Sequence, residues 1–411
     1  MQQFDTVPTS TAQVRRANRI QVLRGFLGSG PKSAGDVAEQ VGLSRQTVMK
    51  SIQFFLRTGL LVSGGKGEST TLGGKRPELF ELTRDRFFLC ITMWPEYLHI
   101  HLATVGGIVV ADLVRTESLG REPKHALGRV GRLCAELVRD NGIRMEKVAA
   151  VSVSTAGIMD YTTGTLRYSS QSPDWGNDVP LKEYLRPWFP EETLIFAENT
   201  GKMAARPFLL EPELMDKRVM VIFSCWGLSG CLLDRGSILS GGNSLIGEIG
   251  HMTIDPGDPE VCGCGSRGCL ERLVSARRLR ELAAQWAGEH PASSLTDSQE
   301  LTVQQVFAAS EQGDSLAQAL SRYLGERFAV ALRNVSLVFD PDVVVFQGDY
   351  AHGDEVFRQT LLAHVADFRY FPARGPFELR FDRRELTEMD TKGAIIALTR
   401  RYFGREELYT E

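Results

Sequence analysis

Three cysteines that follow a histidine constrain the fold of this chain more than any other feature of its sequence. Glycines separate Cys262, Cys264 and Cys269, and His251 lies a short distance upstream of them. Together these side chains supply the four soft or borderline ligands that a tetrahedral structural zinc requires. The glycines let the backbone turn sharply enough for the three sulfurs to face one point. We therefore predict a zinc site at these four residues, with a group of ordinary buried thiols as the alternative.

Composition places the chain among ordinary globular proteins. Its 411 residues suggest two or three domains, and 43% of them are hydrophobic and 24% charged. No run approaches the roughly 20 apolar residues that span a bilayer, and residues 1–10 lack the layout of a signal peptide. Apart from the three cysteines of the cluster, the cysteines lie in apolar or strand-like stretches and are expected to be reduced. These features predict a cytoplasmic protein without a membrane segment.

Charge is distributed unevenly along the chain. Residues 1–83 carry eleven Lys and Arg but six Asp and Glu, a net charge of about +5, so the remainder carries about −9. A basic segment on an acidic body favours a polyanionic partner for that segment, although solvated basic faces are common. We assign residues 1–83 to a separate N-terminal domain, called the head below.

The head has the element order of a helix-turn-helix. Apolar residues at helical spacing predict a first helix over 18–27, which a Gly-Ser-Gly-Pro sequence ends. Ser33, with Asp36 three residues later, caps a short second helix, and Gly42 forms the turn before Ser44 caps a third helix. The buried stripe predicted for this third helix consists of Val48, Ile52, Phe55 and Leu56.

A two-stranded wing is predicted after the third helix. Apolar segments at 60–62 and 79–82 flank a glycine-rich tip with basic residues. In a winged helix-turn-helix the third helix enters the major groove, and a basic wing suits phosphate or minor-groove contacts. The predicted DNA contacts are Ser44, Arg45, Gln46, Thr47, Lys50, Lys66, Lys75 and Arg76. A small helical protein-interaction domain is the alternative.

From residue 86 onwards the pattern changes to alternating strands and helices. Apolar segments at 87–93, 97–105 and 108–113 predict a β-meander with a turn at paired glycines. Further strands are predicted at 148–154, 194–197, 219–223 and 343–346, and helices at 126–141, 275–288, 303–312 and 316–337. This pattern indicates an α/β fold built on mixed sheets.

Motifs of the head and of the body together carry a resemblance to a known family. They are the helix-turn-helix, the wing sequence Gly67-Glu-Ser-Thr-Thr-Leu-Gly-Gly-Lys-Arg-Pro77, the sequence Gly247-Glu-Ile-Gly-His251, and the cysteine cluster that ends in Glu271. With these motifs the chain resembles the repressor branch of the ROK family of repressors and sugar kinases over nearly its whole length. The resemblance implies an actin-like (ribonuclease-H-like) body with lobe 1 at 84–197 and 386–411 and lobe 2 at 198–385. It also implies zinc at the four ligands above, a sugar cleft between the lobes, and a homodimer or homotetramer.

The resemblance further implies which side chains bind the sugar. Adjacent hydroxyls of a hexose both donate and accept hydrogen bonds, and carboxylates and amides match such pairs. The residues at positions that match the family's sugar site are Gln171, Asn199, Thr200, Glu248, His251 and Glu271. Gln171 stands where the family often has asparagine. Surface carboxylates in salt bridges are the alternative for Glu248 and Glu271.

The sequence departs from the kinases of this family where phosphate and the catalytic base would act. Thr92-Met-Trp-Pro-Glu96 replaces the first phosphate loop, and Ser224-Cys-Trp-Gly-Leu-Ser-Gly230 replaces the second. Proline lacks a backbone donor, and a glutamate would repel phosphate. Thr200 stands where the family has its aspartate base, and loss of a general base lowers the rate by about 10²- to 10⁴-fold. We therefore predict a protein that is not an enzyme and has no catalytic residues.

These observations favour a sugar-responsive DNA-binding transcription regulator, a repressor of carbohydrate genes. A dimer of this kind would bind an inverted-repeat operator in double-stranded DNA, and a sugar or sugar derivative in the cleft would change its affinity. One alternative is an active sugar kinase that carries a helix-turn-helix. Another is a regulator whose effector is a partner protein.

Overall fold

The head is the first folded unit of the chain. A computed structural model describes residues 11–28, 30–67, 76–295, 300–369 and 377–410. The elements of the head are α1 (Thr11–Arg24), β1 (Lys32–Ser33), α2 (Ala34–Val41), α3 (Arg45–Arg57), β2 (Leu61–Lys66) and β3 (Glu78–Leu82). β3 pairs antiparallel with both β1 and β2, and α1 and α2 pack on α3. The predicted order of helices and hairpin is confirmed, whereas most of the wing tip, with Lys75, lies outside the described residues.

Local hydrogen bonds explain where α2 and α3 begin. The Ser33 hydroxyl accepts from the Asp36 backbone nitrogen at 3.2 Å, and the Asp36 carboxylate accepts from the Ser33 nitrogen at 2.9 Å. Gly42 ends α2 with φ +67°, a left-handed conformation that favours glycine. The Ser44 hydroxyl then accepts from the Thr47 nitrogen at 3.2 Å. The predicted capping box, glycine turn and third-helix cap are therefore confirmed.

Two details of the head differ from the prediction. The first helix begins at Thr11 and ends at Arg24, earlier at both ends than the predicted 18–27. The predicted burial of Leu56 is wrong: its side chain is 38% exposed, and Phe54 is buried in its place. The Arg19 guanidinium of α1 lies 3.5 Å from the Phe54 ring centroid, so α1 covers that side of α3. The helical period alone does not tell which flank of a stripe a neighbouring helix covers.

The first lobe is built on a sheet with the strand order β10-β7-β4-β5-β6. Its elements are β4 (Phe87–Trp94), β5 (Tyr97–Thr104), β6 (Val109–Arg115), α4 (Pro123–Asp140), β7 (Val148–Thr155), β8 (Ile158–Asp160), β9 (Thr165–Tyr168), α5 (Leu181–Leu185), β10 (Leu194–Asn199) and α6 (Thr200–Ala205). β4 pairs antiparallel with β5, and β5 pairs antiparallel with β6, which confirms the predicted meander at the start of the body. β4 also pairs parallel with β7. Helix α6 contacts β7 and β10 of this sheet and β11 and β12 (Arg218–Ser224 and Leu228–Asp234) of the second, so it lies between the lobes.

The second lobe repeats the plan of a hairpin that leads into parallel strands. Its sheet has the order β13-β12-β11-β14-β15, with β11 antiparallel to β12 and parallel to β14. The remaining elements are β13 (Ser237–Ile238), α7 (Leu270–Leu273), α8 (Ala276–Trp286), α9 (Val303–Glu311), α10 (Ser315–Val338), β14 (Val343–Gly348), α11 (Glu355–Ala366) and β15 (Glu378–Asp382). None of the helices within the described ranges combines the length and apolarity needed to cross a bilayer.

The C-terminal helix connects the first lobe to the head. Helix α12 (Leu386–Tyr402) packs on α6, β4 and β7. A Cβ at Gly393 would lie 1.8 Å from the Met203 carbonyl oxygen, so α12 and α6 touch through their backbones. Beyond α12, the Tyr409 ring lies 6.1 Å from the Phe55 ring of α3, and the Tyr409 carbonyl accepts from Arg19 at 2.6 Å. The head and the first lobe therefore share one hydrophobic core.

Candidate functional site

A cleft between the two lobes collects the residues that sequence analysis assigned to sugar binding. The cleft is open to solvent, and both lobes contribute to its lining. The structure brings together at this cleft all six of the predicted side chains, namely Gln171, Asn199, Thr200, Glu248, His251 and Glu271.

Asn199 and Thr200 stand where β10 ends and α6 begins. The Asn199 side-chain oxygen accepts from the backbone nitrogens of Gly201 at 2.8 Å and Lys202 at 3.3 Å. Its side-chain nitrogen donates to the Gly157 carbonyl at 2.9 Å, which leaves one N–H of the amide for a ligand. Asn199 therefore fixes the start of α6 against the cleft, and its acceptor capacity is already used by the protein.

Two glutamates form the acidic part of the cleft. The Glu271 carboxylate accepts from the Leu228 nitrogen at 2.7 Å. A Cβ on Gly227 would lie 2.9 Å from both the Gln171 side-chain nitrogen and this carboxylate, so a side chain at position 227 would displace both groups from the cleft. Burial raises the pKa of the Glu248 carboxyl above its ordinary value, while the charges of His251 and Lys202 act to lower it. Within the described ranges, neither carboxylate belongs to an ion pair.

Lys202 is a residue of this region that sequence analysis did not identify. Its side chain is buried, hydrogen-bonds the Tyr161 hydroxyl, and has its ammonium 4.9 Å from the Tyr161 ring centroid. A buried lysine in the first turn of α6 places a positive charge beside Glu248. In the sequence, the one indication that Lys202 lies near the cleft is its position three residues after Asn199, and this position does not by itself predict that the lysine is buried.

Aromatic side chains from the two hairpin turns also line the cleft. Trp94 lies at the β4–β5 turn and Trp226 at the β11–β12 turn, and their ring centroids are 4.7 Å apart. Trp94 is buried, whereas Trp226 is 49% exposed. In the sequence, both tryptophans stand out only as departures from the phosphate loops of the kinases. Their contact across the cleft depends on the way the two lobes face each other.

The predicted metal ligands come together beside the cleft. The ligand atoms of His251, Cys262, Cys264 and Cys269 all lie within 4.8 Å of one another. The Cys262 sulfur is 3.7 Å from His251 Nδ1, and the sulfurs of Cys264 and Cys269 are 3.6 Å apart. Zinc bonds of about 2.3 Å to sulfur and 2.0–2.1 Å to nitrogen give tetrahedron edges of roughly 3.6–3.8 Å. The four residues present therefore fit a tetrahedral zinc ion.

Backbone constraints hold the cysteine loop in this shape. The Cys262 nitrogen donates to the Ser266 carbonyl at 2.7 Å, and the Gly265 nitrogen donates to the Cys262 carbonyl at 2.8 Å. Gly268 has φ +66°, and a Cβ there would lie 1.7 Å from the Asp255 carbonyl oxygen. Only glycine is compatible with this close approach. Because His251 and Cys264 also line the cleft, the loop forms part of the cleft wall.

Most of the predicted DNA-contacting residues that the structure describes are exposed on the head. In α3 and its cap, Ser44, Arg45, Gln46 and Lys50 are exposed, whereas Thr47 is partly buried and its hydroxyl is 2.9 Å from that of Ser44. On the hairpin, Lys66 and Arg76 are exposed, and Lys75 lies outside the described residues. Ser44 already caps α3 through the Thr47 nitrogen, whereas Arg45, Gln46, Lys50, Lys66 and Arg76 present exposed side chains to the solvent.

The fold and the cleft define the class of protein. Two lobes with hairpin-led sheets enclose a cleft, and a head of three helices and a hairpin precedes them. A ROK family transcriptional regulator described as a homolog of the E. coli MLC protein superposes with a TM-score of 0.77 at 20% identity, over 96% of this chain and 99% of that one. The body therefore has the two-lobed, actin-like fold.

The chain belongs to the ROK family, whose model matches residues 120–393. It is 24% identical over 354 residues to the xylose repressor of Caldicellulosiruptor bescii, which covers 85% of this chain and 87% of the relative. It is 27% identical over 237 residues to the glucokinase of Thermotoga maritima, which covers 54% of this chain and 71% of the relative. The similarity to the repressor thus extends over more of the chain than the similarity to the kinase.

Proposed function

We propose that the chain is a transcription regulator whose affinity for operator DNA changes when a sugar binds the cleft, and that it represses carbohydrate genes in the cytoplasm. The observation that carries this proposal is that six side chains able to hydrogen-bond sugar hydroxyls line one cleft. The first lobe, which forms one side of this cleft, shares its hydrophobic core with the head. The similarity to a repressor over 85% of the chain supports the same function.

In this proposal the head of residues 1–83 binds the operator. The first turn of α3, with Arg45 and Gln46, reaches base edges, while Lys50 and Lys66 contact phosphate. Arg76 is exposed beside the hairpin and adds to this basic surface, and Lys75 is proposed as a DNA contact on its sequence position alone. The protein acts as a homodimer or homotetramer, so its operator is an inverted repeat.

Zinc at His251 and the three cysteines serves as a structural ion. The four ligand atoms lie within 4.8 Å of one another, and two of their pairs are 3.6 and 3.7 Å apart, which supports this assignment. When bound, the ion would hold the loop that carries Cys264 against the cleft and fix the ring orientation of His251. Glu271, two residues after Cys269, would thereby keep its position on α7 and its bond to the Leu228 nitrogen.

The same cleft is proposed to lack kinase activity. Thr200 offers a hydroxyl where a carboxylate base would be needed, and it is buried at the start of α6. Trp94 and Trp226 occupy the two hairpin turns that would have to approach phosphate through their backbones. The similarity to a glucokinase over 54% of the chain is the reason to measure this activity directly.

The test is an operator-binding experiment with the full chain. Operators are selected from random duplex DNA, and their binding is followed by fluorescence anisotropy with and without a panel of monosaccharides and disaccharides. We expect sequence-selective binding that at least one sugar changes, and Arg45→Ala to weaken it. A protein that shows no sequence-selective binding at moderate salt, or that turns over ATP with a hexose above background, contradicts the proposal.

A further inference from the structure

Three aromatic side chains form a continuous wall beside the cleft, and two of them, Trp94 and Trp226, line it. This aromatic wall consists of Trp94, Tyr97 and Trp226, with ring-centroid distances of 4.7 Å between the tryptophans, 5.3 Å between Trp94 and Tyr97, and 6.2 Å between Tyr97 and Trp226. Trp94 and Tyr97 flank the β4–β5 turn of the first lobe, and Trp226 lies in the β11–β12 turn of the second. The wall therefore spans both lobes.

The outer part of the wall is apolar surface that the protein leaves open. Trp226 is 49% exposed, although Trp94 beneath it is only 4% exposed. A large exposed aromatic ring that lines a concave site is typical of a surface that a ligand covers. The face of a sugar ring presents C–H groups, and these suit the negative face of an aromatic ring.

The wall and the polar side chains of the cleft are adjacent. Gly227 follows Trp226, and its backbone closely approaches the Gln171 amide and the Glu271 carboxylate. A sugar ring that Gln171 and Glu271 hold by hydrogen bonds therefore lies beside Gly227, and Trp226 is the residue that precedes this glycine. The cleft extends from the cysteine loop at Cys264 to Trp94 and Trp226 of the wall, and both lobes line it.

The charges that line the cleft indicate an uncharged ligand. Two carboxylates, those of Glu248 and Glu271, line it, whereas no Lys or Arg does so among the residues that the structure describes. The nearby Lys202 is buried beside Glu248 and hydrogen-bonds the Tyr161 hydroxyl, so its charge acts on Glu248 from behind the lining. A phosphate group carries nearly two negative charges and would meet both carboxylates, of which Glu271 has no such cation beside it in the described part of the chain. A sugar phosphate is therefore disfavoured relative to a neutral glycoside.

We propose that the effector is an uncharged glycoside of two rings, with one ring hydrogen-bonded by the polar side chains and the second ring stacked on Trp226. This inference rests on the proposed function, because it specifies the ligand class of the same cleft. Trp226 is then a specificity-determining residue, because stacking on its ring raises the affinity for two-ring glycosides above that for monosaccharides. The β11–β12 turn, which differs from a phosphate-binding loop, would then take part in sugar recognition.

Calorimetric titration of the full chain tests the proposal with matched pairs of ligands. The probes are glucose and cellobiose, xylose and xylobiose, N-acetylglucosamine and chitobiose, and glucose 6-phosphate. We expect the two-ring member of one pair to bind about tenfold more tightly than its monosaccharide, a factor that ring stacking can supply. Trp226→Ala should bring the ratio of the two affinities close to one, and Trp226→Phe, which keeps an aromatic ring, should retain most of it.

Fluorescence gives a second readout of the same contact. Covering the half-exposed Trp226 should shift the tryptophan emission with a two-ring ligand, and Trp226→Phe should lose that shift while thermal unfolding shows that the variant is folded. The proposed function fails together with this inference if no sugar binds. If monosaccharides bind and change operator affinity, but the affinity ratio is one or is unaltered in Trp226→Ala, the inference alone is overturned. Tighter binding of glucose 6-phosphate than of glucose also overturns it.

Discussion

Asp390 is a buried carboxyl group whose hydrogen-bond partners are hydroxyls rather than cations. It lies in α12, accepts from the Thr92 hydroxyl of β4, and has the Ser154 hydroxyl of β7 at 3.4 Å. Loss of solvent raises its pKa from 3.8 to about 7, against the opposing effect of these two hydrogen bonds. The difference corresponds to about 4 kcal/mol in the free energy of ionising this group in the folded protein. The contact holds α12 on the first sheet, so its ionisation should loosen the body.

The sign of the effect on stability follows from proton binding. Between pH 3.8 and about 7 the unfolded chain has released the proton and the folded chain still holds it, so stability falls as the pH rises through this window. The free energy of unfolding should therefore fall by about 3 kcal/mol between pH 5 and pH 8. Asp390→Asn keeps the shape of the protonated group and removes the titration.

Thermal unfolding at the two pH values measures this prediction. The melting temperature of Asp390→Asn relative to the wild type should rise on going from pH 5 to pH 8. Asp140→Asn, at an exposed carboxylate that ends α4, serves as the control and should show no such change. An equal difference between Asp390→Asn and the wild type at both pH values would refute the assignment of a raised pKa to Asp390.

Other perturbations follow from the site and the head. Cys264→Ser should lower the zinc content per chain and the melting temperature, by atomic absorption and calorimetry; an unchanged metal content would contradict the zinc site. Arg206→Met leaves the buried Glu198 carboxylate without its ion-pair partner at 2.6 Å. Urea unfolding should show a loss of about 3–5 kcal/mol in the free energy of unfolding, because an unpaired charge stays buried. Adding Glu198→Gln should restore part of this loss, and no recovery would contradict the stated cause. Arg45→Ala should weaken operator binding by about 1–3 kcal/mol and relax its selectivity, whereas Lys66→Ala should reduce the slope of log K against log salt by about one. Equal effects of the two changes on all DNA sequences would contradict the assigned roles.

Features specified by neighbouring residues could be predicted from the sequence. The caps at Ser33 and Ser44 depend on hydrogen bonds within one helical turn, so the pattern of residues is sufficient. The cysteine cluster likewise contains its own ligands and glycines, and its atoms come together as predicted. The meander at the start of the body was predictable because its apolar segments and the paired glycines between β5 and β6 are local.

Features that depend on contacts between distant segments could not be predicted in the same way. The burial of Phe54 rather than Leu56 is decided by α1, and the environment of Lys202 is decided by Tyr161. The aromatic wall requires two turns from different lobes to meet, and no local pattern encodes that distance. The packing of Tyr409 on the head joins the two ends of the chain, which periodicity in either end does not indicate.

The most direct test of the account is to measure the affinity of one sugar with and without operator DNA. If the cleft and the head are coupled, a sugar that changes operator affinity must have its own affinity changed by the same factor, expected to be about 5- to 150-fold. Glu271→Gln, which keeps an acceptor for the Leu228 nitrogen, should weaken sugar binding while operator binding persists. Sugar affinities that are identical in the presence and absence of saturating operator would contradict the account.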